Sequence, residues 1–366
     1  MSIPVHRLRL ILLLLFLIAG LFAFDFALAK TEKLEIEHEA EGAFSNGQRL
    51  MGAGNTTSAL ESLRRAHVLE RTNKRYTLAL VEGLMAAASN VEAASLVTPV
   101  LQTDPNDGRA NLLMARLMLK TARFPEAQAY FHRAIYGGWD ENALDRRVQT
   151  RLELVQALAT AGKTTDLLPE LLPLETDAWN NSTALRQVAN YYLIAGSPNR
   201  ARETLHALIR RDPANPSLYE SLGRAELDRG DFRAAQKAFL TAFSYSPDDG
   251  RIRSDMELSS ALFALDPTPR KLRSAEKDQR SARILELAEE EANACLALPE
   301  VRDGDRRRLQ DQLEKTSQPG PGITNEESEQ KLGEAEVLWQ VERTVCSPKG
   351  SLKWNELNLI MRKLAQ

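Results

Sequence analysis

Residues 216–249 read PSLYESLGRAELDRGDFRAAQKAFLTAFSYSPDD, and their spacing decides the fold. Tyr219, Leu222 and Gly223 lie in the first half; Gly230, Phe232, Ala235, Phe239, Ala242 and Pro247 lie in the second. Stepping back 34 residues gives Leu185, Val188, Ala189, Tyr192, Gly196, Ala201, Leu205, Leu208 and Pro213 in corresponding places. A fixed period of this size marks a stack of helix pairs. It turns the functional question from a reaction to a partner.

Further copies start near Ala40, Lys74 and Gly108. Each position has a physical task. Small residues at Gly47, Ala115, Ala189 and Gly223 let the two helices of a pair approach closely, and Ala59, Ala93, Ala127, Ala201 and Ala235 do the same from the second helix. Phe131, Leu205 and Phe239 fill the next layer, as ridges fill grooves. Gly54, Gly196 and Gly230 fall where a first helix ends in a left-handed residue. Pro105, Pro213 and Pro247 stop the second helices.

This pattern of large–Leu–Gly–Tyr followed by Ala–Phe–Ala–Pro resembles the tetratricopeptide repeat. The resemblance implies an all-α fold, a right-handed solenoid of helix-turn-helix repeats. The repeats are expected near 40–73, 74–107, 108–141, 142–181, 182–215 and 216–249, with a closing helix at 250–265 that covers the apolar end of the last pair. The solenoid then occupies 30–265, and 266–366 is a C-terminal helical extension with a linker near 316–325, where Gln318-Pro319-Gly320-Pro321-Gly322 breaks any helix. The tail is expected either to pack back as a cap or to stand as a docking element. The fourth copy is longer than its neighbours and carries Pro169 and Pro173, which predicts a kinked or split second helix.

Residues 1–29 form a separate segment. His6, Arg7 and Arg9 precede an apolar run from Leu10 to Phe24, and Ala27-Leu28-Ala29 offers a small-residue cleavage site. These are the parts of a secretory signal, or of a signal anchor if it stays uncleaved. Either way the repeats are expected outside the cytoplasm, periplasmic and soluble or tethered to the inner membrane by residues near 8–26. An exported compartment permits a disulfide between the two cysteines, Cys295 and Cys346.

A net charge of −3 over 366 residues gives no reason to expect nucleic acid. Gly162-Lys163-Thr164 resembles the end of a phosphate loop but lacks the strand and glycines that loop needs. The histidines are scattered, no metal-ligand spacing occurs, and Glu289, Glu290 and Glu291 read as a solvated helix face. No catalytic residues and no cofactor are expected. Asn55-Thr56-Thr57 and Asn181-Ser182-Thr183 match a glycosylation acceptor.

The resemblance also implies that first helices line a concave groove. Its expected protein-binding residues are Arg109, Arg116, Lys120, Gln156, Arg186, Asn190 and Arg224, with Phe44, Met51, Leu78, Met85, Leu112, Leu119 and Leu193 adding apolar patches. Arginines hold carboxylates in bidentate fashion and asparagine pairs with peptide backbone, so the groove is expected to take acidic or extended segments. The expected function is a non-enzymatic adaptor of the bacterial cell envelope, binding other envelope proteins. The alternatives are a chaperone-like carrier of exported clients and an accessory subunit of an envelope enzyme.

Overall fold

The structure, a computed structural model, describes residues 5–299, 301–316, 325–346 and 355–365, with the side chains of 5–20, 23, 27 and 325 excepted. The linker expected near 316–325 and most of the apolar leader therefore fall outside the described residues or side chains. Everything described is helix and turn, apart from one isolated bridge between Asp107 and Gly138.

Six helix pairs follow one another: α1 (Val5–Gly52) with α2 (Thr56–Leu69), α3 (Lys74–Ala86) with α4 (Asn90–Thr103), α5 (Gly108–Lys120) with α6 (Phe124–Tyr136), α7 (Ala143–Thr160) with α8 (Leu167–Asp177), α9 (Ser182–Ile194) with α10 (Pro198–Arg211), and α11 (Pro216–Asp228) with α12 (Phe232–Tyr245). The later elements are α13 (Gly250–Leu265), α14 (Ser274–Leu296), α15 (Asp303–Thr316), α16 (Asn325–Cys346) and α17 (Glu356–Leu364). The chain divides into two compact units, 1–154 and 155–366, with the boundary inside α7.

Local chemistry sets the period. Asn73, Asp107, Asn181, Asn215 and Asp249 each precede a first helix, and each side chain accepts from an N–H two or three residues on. Such caps satisfy orphan helix donors and are worth about 1 kcal/mol each. Asn181 is one half of the apparent glycosylation pair, and Asn55, the other, caps α2 by accepting from Ser58 N–H. An Asn followed by small hydroxyl residues is here the signature of a helix start.

The other end of each first helix is equally regular. Gly54, Ala88, Ala122, Gly162, Gly196 and Gly230 all have positive φ, between 57° and 77°. The next residue's N–H returns to a carbonyl five residues back, as in Asn55 to Leu50, Ser89 to Leu84, Arg123 to Met118, Lys163 to Leu158, Ser197 to Tyr192 and Asp231 to Glu226. This is the glycine-type helix stop, satisfying carbonyls that would otherwise be orphaned. Gly162 is one of these stops, so Gly162-Lys163-Thr164 belongs to a turn between helices.

A third regularity joins successive pairs. Each proline that follows a second helix leaves a carbonyl, and a side chain six residues later closes on it. Asn111 donates to Pro105 O at 2.9 Å, Tyr219 to Pro213 O at 2.9 Å and Arg253 to Pro247 O at 3.0 Å.

The second helix of the fourth pair, expected to be kinked or split, is not split. α8 is continuous through Pro173, and the irregularity sits in a single 3₁₀ turn, Thr164–Asp166, just before it. Leu167, Leu171 and Leu174 of α8 are fully buried. Burying three leucines at about 1.5–3 kcal/mol each outweighs the roughly 3 kcal/mol that an interior proline costs.

The first unit is built around Phe44, Leu63, Leu78, Leu84, Val97 and Leu113. In the second, the helices after α13 share one core with the last repeat: Phe232, Phe239 and Leu262 pack in the same cluster as Ile284, Leu309, Leu338, Leu357 and Ile360. The tail therefore packs back as a cap. Lys363 of α17 meets Asp266 at 2.6 Å and lies over the Phe232 ring at 4.9 Å. Cys295 and Cys346 are joined, with Cα atoms 5.8 Å apart, a separation in the usual range for a bridge.

The acidic run on α14 is not uniformly solvated. Glu290 is exposed, but Glu291 is half-buried and accepts from Asn355 at 2.8 Å. Burial, reinforced by the charge of the buried Glu342 on α16, pushes the Glu291 carboxyl above its ordinary range; burial also raises Glu342. An i, i+4 reading of one helix cannot see a second helix that presents another carboxylate to it.

Candidate binding surface on the first helices

Close helix approach fixes the first-helix surfaces. At Gly223 an added Cβ would stand 2.6 Å from the Phe239 ring, and at Gly47 it would stand 2.7 Å from Leu63. Only hydrogen fits there, so α11 lies against α12, and α1 against α2, with little rotational freedom.

The seven expected residues fall into the two units, three in the first and four in the second. In the first unit Arg109 makes a bidentate pair with Glu82 at 3.1 and 3.0 Å. Arg116 donates to Glu153 at 2.9 Å, and that hydrogen bond holds its guanidinium more firmly protonated than usual. Lys120 donates to the backbone carbonyl of Met85 at 2.7 Å. In the second unit Arg224 lies between Glu220 at 2.8 Å and Asp255 at 3.2 Å. Three of the four arginines are thus neutralised by neighbouring first helices or by their own. The sequence displays the cations on a helix face; their carboxylates come from residues 27 to 37 positions away, or one helical turn away in the case of Glu220.

Arg186 differs. Its side chain is exposed and donates to Ser217 Oγ at 3.3 Å, and it meets no carboxylate among the described residues. Asn190, one turn along α9, and Gln156 are also exposed. The apolar patches need correction: Phe44, Leu78, Met85 and Leu112 are buried in the repeat cores, while Met51, Leu119 and Leu193 are partly exposed. These large residues face the neighbouring pair instead of an open surface, because a first helix packs on two sides. Ile194, at 47% exposure, is the apolar side chain most open beside Asn190 on α9.

Tyr76 closes the first unit's edge by donating to Glu41 at 2.9 Å, and burial with that contact pushes its phenol up to about 12. Arg75 makes a double contact with the same Glu41 at 3.1 Å and lies 4.2 Å over the Phe44 ring. Neither residue was marked by the 34-residue spacing, since both serve the join between α1 and α3. Among the described residues no group of three His, Cys, Asp or Glu is placed to hold a metal ion.

These features define a helix-pair repeat protein whose exposed chemistry lies on helix surfaces. The family model described as tetratricopeptide repeat matches residues 84–136, from the end of α3 through α6. That match covers part of a chain built of successive helix-turn-helix units, so the chain carries a tetratricopeptide repeat segment within an all-helical repeat fold. Similar proteins include tetratricopeptide repeat protein 37 of Xenopus laevis, 28% identical over 238 residues, covering 61% of this chain and 15% of that one. Superkiller complex protein 3 of Mus musculus is 41% identical over 58 residues, 16% of this chain and 4% of that protein. The chain therefore spans only a small fraction of the length of these relatives. Among solved structures, PilF of Pseudomonas aeruginosa matches at 14% identity, covering 62% of this chain and 99% of that one with a TM-score of 0.44. YrrB, described as a repeat protein with an unusual peptide-binding site, matches at 15% identity over 54% of this chain and 99% of that one, TM-score 0.43.

Proposed function

We propose that the protein is a non-catalytic adaptor that holds extended segments of partner proteins on its first-helix surface. The observation that carries this reading is a contrast among the first-helix arginines: Arg109 and Arg116 in the first unit and Arg224 in the second are matched by local carboxylates, whereas Arg186 in the second is exposed and lacks one, with Asn190 and Ile194 beside it on α9. A cation, an amide and an apolar side chain within two turns suit a peptide that offers a carboxylate, a backbone group and an apolar side chain. The partner chemistry is thereby narrowed from a generally acidic segment to one with a carboxylate placed at α9.

The protein's place in this reading is the cell envelope of a bacterium. The basic flank, the apolar run and the A-L-A sequence support export, and the joined Cys295 and Cys346 suit an oxidising compartment. Leu21, Phe22, Phe24, Phe26 and Leu28 are exposed on α1, as a segment destined for a translocon or a bilayer would be. Among the described residues no helix is long and apolar enough to cross a membrane. N-terminal sequencing of the protein from fractionated cells tests the placement; an intact residue 1 in the cytosolic fraction would overturn it.

Crosslinking in native cells tests the adaptor reading. An Arg186→Glu, Asn190→Ala variant should lose the partners captured by wild type, while Arg109→Gln retains them. Identical partners from wild type and the double variant would remove α9 as the working surface.

A further inference from the structure

The helices after the repeats carry a groove of their own. A cavity of about 550 Å³ runs between α15 and α16, inside the second unit. One wall is the α15 face of Arg307, Arg308, Asp311 and Lys315, and the floor is Val337 and Val341 of α16. Val341 is buried, whereas Val337, one turn away, is 40% exposed. No residue of α9 lines the groove, so it stands apart from the first-helix surface and does not rest on the reading above.

The arginines in and beside α15 divide by task. Arg302, just before the helix, pairs with Asp305 at 2.9 Å. Arg306 donates to the carbonyls of Leu296 and Leu298, which ties α15 to the end of α14. Arg307 reaches only the backbone carbonyl of Asp303, at 3.5 Å, among the described residues. Arg308 and Lys315 are exposed and meet no carboxylate there. Asp311 stands between them, exposed and equally without an ion pair among the described residues. At the helical rise of about 1.5 Å per residue, Arg308 and Lys315 lie about 10 Å apart along α15. Over two turns the wall is positive, negative, positive.

We propose that this groove receives an acidic amphipathic helix of a partner polypeptide, with one carboxylate for Arg307 and Arg308, a second for Lys315, and apolar side chains between them on Val337 and Val341. Positions i and i+7 of a helix match the spacing of Arg308 and Lys315, and i+3 and i+4 fall on the same face between them. The guanidinium groups can take a carboxylate in bidentate fashion. Exposed ion pairs are weak alone, so the two valines supply the apolar burial that makes the contact hold. The same pattern selects against other polyanions. Asp311 opposes the unbroken run of phosphates that a nucleic acid presents. A flat bilayer surface does not reach Val341 between two helices.

The test uses the full chain and, as probe, a fluorescein-labelled alanine-based peptide with glutamates at i and i+7 and leucines at i+3 and i+4, stapled into a helix on its opposite face. Fluorescence anisotropy should show saturable binding, about tenfold weaker when lysines replace both glutamates. Arg308→Glu with Lys315→Glu should reverse that order and prefer the lysine peptide. If circular dichroism shows that this variant has lost helix, Val337→Asp at its exposed position decides instead, by weakening the glutamate peptide. No binding, equal affinity for the two peptides, an order unchanged by the charge reversal, or equal binding once alanines replace the leucines would overturn the proposal. Capture by phosphatidylglycerol vesicles that the double variant abolishes would assign the cations to a lipid surface and overturn it as well. Arg186→Glu should leave peptide binding unchanged, which separates this groove from the α9 surface.

Discussion

Two of the six left-handed helix stops are alanines, and replacing them with glycine should stabilise the protein. Ala88 has φ 59° and Ala122 has φ 57°, where a Cβ crowds the following carbonyl. That crowding costs roughly 1–2 kcal/mol for a residue other than glycine. Both methyls are exposed, so little packing is lost with them. Against the relief stands the greater freedom of glycine in the unfolded chain, about 0.4–1 kcal/mol. The net gain is about 0.5–1 kcal/mol per site. The alanine at 88 carries the longest of the six N–H bonds that close these stops, 3.3 Å against 2.9–3.1 Å elsewhere, as a strained turn would. The two sites lie in different pairs and share no partner, so Ala88→Gly with Ala122→Gly should gain about 1–2 kcal/mol. The reverse change at Gly196, where nothing lies within 4 Å of an added Cβ, isolates the backbone effect and should cost about 1 kcal/mol. Urea unfolding followed by helical circular dichroism gives the comparison, with midpoints read at constant slope. Loss of stability in both glycine variants, with Gly196→Ala neutral, would refute the strain assigned to these turns.

Three further outcomes are expected. Gly223→Ala sets a methyl 2.6 Å from the Phe239 ring and should destabilise by about 1–3 kcal/mol, seen as a lower urea midpoint. Reducing the Cys295–Cys346 bridge, which closes a 51-residue separation, should cost about 4 kcal/mol by chain entropy and lower the melting temperature of the second unit; free thiols at both positions in non-reduced peptide mass spectra would sink this. Glu291 and Glu342 have folded-state pKa values raised above the ordinary 4.5, so the folded state binds their protons more tightly and they penalise folding once ionised. Glu342→Gln should therefore stabilise at neutral pH, with the gain shrinking as pH falls toward 4.5; no gain at neutral pH, or a gain that does not shrink on acidification, would contradict the assigned burial.

What could be read in the sequence is what repeats in it. The glycine stops, the prolines and the small residues at 34-residue spacing located the helix pairs, because each does its work within its own turn or pair. The Asn and Asp caps were equally periodic, but two of the asparagines, Asn55 and Asn181, also fit a glycosylation pattern, and the local reading hid the structural one. Ala88 and Ala122 were invisible as stops because alanine is also the best helix former. The binding surface was harder still. Arg116 and Arg224 stand on the expected faces, yet whether an arginine is available depends on Glu153 and Asp255, which come from the next pair. Phe44 and Met85 were assigned to open surface because position on a helix does not say how many neighbours that helix has. The tail, lacking a period, offered only amphipathic stripes, and nothing in such a stripe names the surface it covers.

The way α17 closes the second unit has a consequence in time. Lys363 and its partner Asp266 are separated by 97 residues. At roughly 5–20 residues per second, synthesis needs about 5–20 s to pass from one to the other. Through that interval Phe232, Leu262 and Leu265 have been made and the helix that completes their cluster has not. Until α17 is made the cluster lacks Leu357, Leu359, Ile360 and Met361, so the core of the second unit is completed only by a nine-residue helix far along the chain from Phe232.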